Sequence, residues 1–168
     1  LPETWFTVWS NLIHRGHLAA GERLLVHGGA SGIGLTAIQL AKHLGVECMV
    51  TVGDDAKAEF CRQFGASAAI NYRKVDFAEE VKRLSAGQGV DVILDIIGAP
   101  YFQRNLVVLR IDGRLLFIGF LGGPKGECNL LPKLFKRLTI AGSTLRPRSN
   151  AEKQVIRDDL LKNIWPAY

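Results

Sequence analysis

The sequence predicts an α/β fold: a doubly wound, six-stranded parallel sheet with helices on both faces. Three observations carry that expectation. Short apolar runs rich in β-branched residues alternate along the whole chain with stretches whose apolar residues recur at helical spacing. A glycine-rich turn, Gly28 to Gly34, stands between the first apolar run and the first long helical pattern. The connections are short, as right-handed strand–helix–strand crossovers require.

The elements follow in order. Pro2 suits a first helical turn, and Trp5, Val8, Trp9 and Leu12 share one helical face ahead of Gly16. Leu24 to His27 is a short strand that stops at the glycines. Ile33, Ala37, Leu40, Ala41 and Leu44 then repeat with a period of about 3.6 residues, and Gly45 ends that helix. Val46 to Val52 reads as a strand closed by Gly53. Lys57 to Phe64 is helical, Ser67 to Asn71 extended, Asp76 to Leu84 helical, Val90 to Ile96 a strand. Tyr101 to Leu109 is helical and Gly113 to Ile118 a strand. A loop from Gly119 to Asn129 precedes a short helix at Leu130 to Phe135, and Leu138 to Ser143 is the sixth strand. Ser149 and Glu152 have capping-box spacing, opening a terminal helix through Ile164.

Composition bounds the reading. The 168 residues are 48% hydrophobic and 22% charged, which suits one well-filled domain and excludes a disordered or fibrous chain. The domain expected is 1–168, with 1–20 a linking helix and 149–168 the terminal helix. No apolar run approaches the ~20 residues of a membrane span. The opening Leu1-Pro2-Glu3-Thr4 has no initiator Met and no signal- or transit-peptide character, so the chain is expected to be an excised piece of a cytoplasmic protein. Cys48, Cys61 and Cys128 form no CxxC pair and no metal-ligand spacing, and free buried or semi-buried thiols are expected. The net charge of +5 is concentrated between Lys125 and Arg157. One aromatic residue, Phe135, interleaves with those cations and no nucleic-acid-binding motif appears, so a solvated face or a surface meeting an anionic cofactor is expected, with no nucleic acid.

The glycine turn carries the chemistry. Glycine permits a tight turn and leaves no Cβ between backbone and a pyrophosphate, while the helix behind it directs free N–H groups and its positive dipole end at the anion. Ala30, Ser31, Gly32, Ile33 and Gly34 are the residues that would line it. Read as GxGxxG, Ser31 replaces the second glycine; read as GxxxGxG, the spacing is that of short-chain dehydrogenases. That second family needs a Tyr-x-x-x-Lys pair, which is absent: four residues after Tyr72 stands Asp76, four after Tyr101 stands Asn105, and Tyr168 is the last residue.

The stretch Gly21 to Gly34, with Gly65-Ala66, Asn71-Tyr72-Arg73, Asp95-Ile96-Ile97-Gly98 and Gly113-Arg114, resembles the medium-chain dehydrogenase/reductase superfamily, specifically its zinc-independent quinone oxidoreductases of the zeta-crystallin type. The resemblance covers the Rossmann cofactor domain only; the family's catalytic β-rich domain and its final segment have no counterpart here. It implies that Gly53, Lys57 and Tyr72 surround the 2′-phosphate of NADPH. Ile96, Ile97 and Gly98 would lie along the cofactor, with Ile118, Gly119, Phe120 and Leu121 towards the nicotinamide. Asp54-Asp55 is the opposing signal for NADH, but Asp54 reads better as a helix N-cap. NADPH is therefore preferred, and no metal is expected. The implied activity of the parent protein is hydride transfer from NADPH to a quinone or enone, which needs proximity and orientation more than an acid or base. No catalytic residue is expected in this segment, which alone should bind nucleotide without turnover. His14, His17, His27 and His43 are dispersed, and His27 reads as structural. The family also implies a homodimer through strand 138–143, an apolar sheet edge. Two alternatives stay open: the cofactor domain of a zinc-dependent alcohol dehydrogenase, and a non-catalytic NADPH-sensing protein.

Overall fold

The computed structural model describes residues 2–167. Leu1 and Tyr168, the outer ends of the expected linking and terminal helices, lie outside the described residues. Six strands, β1 (Arg23–His27), β2 (Glu47–Val52), β3 (Ala68–Asn71), β4 (Val90–Asp95), β5 (Leu109–Phe117) and β6 (Thr139–Gly142), form one sheet in the order β3-β2-β1-β4-β5-β6. Every pairing is parallel. Strand order reverses between β1 and β4, the position where open α/β sheets leave a crevice at their carboxyl ends.

The helices divide between the two faces as side-chain alternation on the strands requires. Leu24 and Val26 of β1 enter one core with α1 (Pro2–Trp9), α2 (Gly32–Leu44), α3 (Asp55–Phe64) and α7 (Asn150–Asn163). Leu25, Met49 and Ile93 face the other way, against Phe77 and Val81 of α4 (Phe77–Leu84) and Leu106 of α5 (Ala99–Val108). A short α6 (Leu131–Phe135) precedes β6. Buried strands covered on both sides explain the nearly continuous apolar runs of the sequence.

Sequence and structure differ at three places. The linking helix does not run regularly to Gly16: Ser10–Arg15 widens into a π turn, with the Gly16 N–H donating to Asn11 O at 2.8 Å. The widened turn sets Gly16 against the sheet, where a Cβ would stand 2.8 Å from Leu116 Cδ1. Second, β5 begins at Leu109 rather than Gly113, across an irregularity in its pairing with β4. Third, Cys48 and Cys61 are buried but Cys128 is exposed, in the long loop after β5. The capping box at Ser149 and Glu152 forms as expected.

Candidate functional site

The turn after β1 is held open by sterics. A Cβ at Gly29 would lie 2.5 Å from Val50, and one at Gly34 would lie 2.3 Å from Gly29 O. Larger residues would push the turn off the sheet. Gly28 has a φ of +81°, a conformation suited to glycine. Ser31 caps α2: its hydroxyl donates to Gly28 O at 2.7 Å and accepts the Gly34 N–H at 3.1 Å. Such a cap is worth about 1 kcal/mol. The N–H groups of Ala30, Gly32 and Ile33 have no protein acceptor among the described residues. Three unpaired donors at the positive end of a 13-residue helix make an anion cradle.

A groove runs from this cradle along the carboxyl ends of β2, β1 and β4. It has a volume of about 370 Å³, within the range that small ligands occupy. Its lining joins eight of the expected residues: Ala30, Ser31, Gly53, Lys57, Tyr72, Ile96, Ile97 and Leu121. At the β2 end, the missing side chain of Gly53 leaves room for Tyr72, whose Oη would be 2.9 Å from a Cβ there; Arg73 Nε would be 3.8 Å away. Lys57 is exposed at the same corner. Asp54 does act as the N-cap of α3, accepting the Lys57 N–H at 2.7 Å, and that bond holds its carboxyl below the usual range. Asp55 turns to Asn71 and Lys74 instead. Neither carboxylate lines the groove.

The remaining expected residues sit around it. Gly32, Ile33 and Gly34 form the start of α2. Gly98 has a φ of +93° and is overlaid by Phe120, whose Cδ1 would be 2.5 Å from a Cβ. Phe120 also meets Phe117 at 5.2 Å between ring centroids. Ile118, Gly119 and Phe120 line a second groove, with Ile140 to Thr144 opposite. The two loops after β4 and β5 are tied together: the Leu121 N–H donates to Ile96 O at 2.9 Å and the Gly122 N–H to Ile97 O at 2.8 Å.

Three groove residues were not foreseen, Thr51, Val52 and Tyr101, and Gly28 belonged to the expected turn without being assigned to its lining. Arg73 stood in a recognised stretch without an assigned role. Tyr101 gives no signal in sequence, because its place depends on packing. Its ring meets His27 and Phe77, each at 4.8 Å, and Arg104 lies 4.8 Å over it. His27 is buried, as a structural histidine should be, and burial pulls its pKa down to about 4. Among the described residues no group of three or more His, Cys, Asp or Glu is arranged to hold a metal ion. No helix among them is long and apolar enough to cross a membrane.

The family model for zinc-binding dehydrogenases matches residues 32–159. Human quinone oxidoreductase is 31% identical over 150 residues, covering 89% of this chain and 45% of that protein. Among solved structures, Escherichia coli quinone oxidoreductase complexed with NADPH superposes with a TM-score of 0.84 at 29% identity, covering 98% of this chain and 51% of that one. CurK enoyl reductase superposes with a TM-score of 0.85 at 30% identity, covering 99% and 50%. The chain spans less than half the length of the curated relatives it matches.

Proposed function

This chain belongs to the zinc-binding dehydrogenase family, and from that premise we propose that it is the NADPH-binding domain of a reductase acting on a quinone or enone. The observation that carries the reading is the groove itself. It links three unpaired N–H groups at the start of α2 to a corner where Gly53, Lys57, Tyr72 and Arg73 meet; no carboxylate is among the lining residues, and Asp54 Oδ2 stands 3.5 Å from Lys57 Nζ. A pyrophosphate suits the first feature and a ribose 2′-phosphate the second, since Lys and Arg supply charge and Tyr a hydroxyl donor. NADH offers nothing for those cations to hold.

Ala30, Gly32 and Ile33 bind the diphosphate through backbone donors, while Ile96, Ile97 and Leu121 give the cofactor an apolar wall that excludes water. The bound nicotinamide supplies the hydride. Ile118, Gly119 and Phe120 line the adjoining groove on the acceptor side. Groups that touch the acceptor come from outside these residues, so the chain by itself binds without turnover. Its second copy pairs through β6, which ends the sheet beside β5 among the described residues.

Titration with NADPH and NADH tests the reading. NADPH should bind more tightly, and Lys57→Ala should weaken NADPH by about tenfold while leaving NADH unchanged. Tighter NADH binding, or an unaltered NADPH affinity in the variant, overturns it. The family's description favours a second reading, a zinc-dependent alcohol dehydrogenase; its ligands would have to come from beyond the described residues. Metal content of the whole parent protein separates the two.

A further inference from the structure

Beneath the groove lies a chain of buried polar groups. His27 ends β1, Asp95 ends β4 and Thr51, the penultimate residue of β2, pairs with His27, so the three stand level on adjacent strands. All three point to the α5 side of the sheet, following the alternation that buries Met49, Leu25 and Ile93 there. Asn105, reaching in from α5, joins them. Its Nδ2 donates to Asp95 Oδ2 at 3.0 Å and its Oδ1 meets His27 Nε2 at 2.8 Å. Because the amide nitrogen serves Asp95, Oδ1 must accept, which places the His27 proton on Nε2. Nδ1 then accepts from the Thr51 hydroxyl at 3.0 Å. Asp95 Oδ1 in turn accepts the Ile97 N–H at 2.6 Å, and the carboxylate lies 3.4 Å from the Gly98 N–H.

The position of this chain is what makes it more than core filling. Between β1 and β4 the sheet order reverses, so the loop after β1 runs to one face and the loop after β4 to the other. The β1–β4 pairing ends at Val26 and Leu94, one residue short of this level, so that ladder does not fix the two loops relative to each other. Four fully buried side chains do so instead. One end of the chain, Thr51, floors the groove near Gly53; the other end holds the backbone of Ile97, which forms its wall.

We propose that Asn105 is a positioning residue for cofactor binding, stitching β1 to β4 across the strand-order reversal and setting the Ile96–Gly98 loop at the spacing the nucleotide requires. The proposal rests on the NADPH reading for what the loop holds, but the ordering of the loop is a property of the free chain. Removing the amide leaves the Asp95 carboxylate short of a donor and His27 short of an acceptor, so the loop amides should loosen before the cofactor arrives. A wall that must be ordered on binding costs affinity.

The experiment measures backbone amide exchange at Ile97 and Gly98, and NADPH affinity, in the 168-residue chain. Asn105→Leu removes both hydrogen bonds; Asn105→Asp keeps an acceptor for His27 and loses the donor to Asp95, giving a second variant should the first fail to fold. Leu106→Ala, buried on the same helix, is the control for destabilisation alone. Both Asn105 variants should lose protection at Ile97 and Gly98 and weaken NADPH by about tenfold. The control should lower the melting temperature without either effect. Wild-type protection in the Asn105 variants, or equal losses in Leu106→Ala, overturns the proposal. Failure of the wild-type chain to bind NADPH overturns the cofactor reading instead, and the exchange rates still decide the stitch.

Discussion

Mild acid should destabilise the fold through His27 before the ion-paired carboxylates respond. The imidazole is fully buried between Phe77 and Tyr101, and that burial, with the nearby charge of Arg104, brings its folded-state pKa to about 4 against an ordinary 6.5. The Asn105 amide works in the opposite direction and does not prevail. The sign follows from proton uptake. Between these values the unfolded chain binds a proton that the folded chain refuses, so stability falls as pH drops from 6.5 towards 4. The loss amounts to about 2 kcal/mol at pH 5 and about 3 kcal/mol at pH 4. Asp95 opposes it in part: burial pushes its carboxyl up, so taking up a proton in acid favours the folded state. Urea midpoints read by tryptophan fluorescence between pH 7.5 and 4.5, for the wild type and His27→Gln, isolate the histidine. Glutamine can still donate to Asn105 but does not titrate. The variant should be the weaker at neutral pH, and the gap should close on acidification. Parallel curves would refute the reasoning.

Three further outcomes follow from the geometry. Gly34→Ala, whose methyl would lie 2.3 Å from a backbone oxygen, should cost about 3 kcal/mol or more in urea unfolding, whereas Gly32→Ala, meeting only Thr4 Cγ2 at 3.3 Å, should stay within about 1 kcal/mol of wild type. Arg114 donates to both carboxylate oxygens of Glu22 at 2.9 and 2.8 Å and to Gly16 O at 2.7 Å, so Arg114→Leu should lower stability by about 2 kcal/mol and free the turn before β1, checked by urea unfolding and limited proteolysis. A thiol reagent at pH 8 should label exposed Cys128 rapidly and leave Cys48, whose pKa burial pushes up to about 12, untouched until the chain unfolds; mass spectrometry of the labelled peptides decides this.

Most of the architecture was legible from local patterns. Buried parallel strands read as apolar runs, helices as a repeating face, and caps such as Ser31, Asp54 and Ser149 act over three residues, which is within the reach of sequence. The glycine turn was legible for the same reason, since a strand, a run of glycines and a helix start are consecutive in the chain. The π turn at Ser10–Arg15 was not, because it answers to Leu116, about a hundred residues away. Tyr101 joined the groove only when α5 packed beside the carboxyl ends of the strands.

The sequence by itself determined the fold class, the order of elements and the place of the glycine turn, because each depends on neighbours along the chain. Tertiary structure alone decided what lies under the groove. Thr51, His27, Asp95 and Asn105 carry no spacing that marks them as partners, and three strands and a helix must pack before their polar groups meet. Once buried, those groups have no water to bond, so each depends on the others.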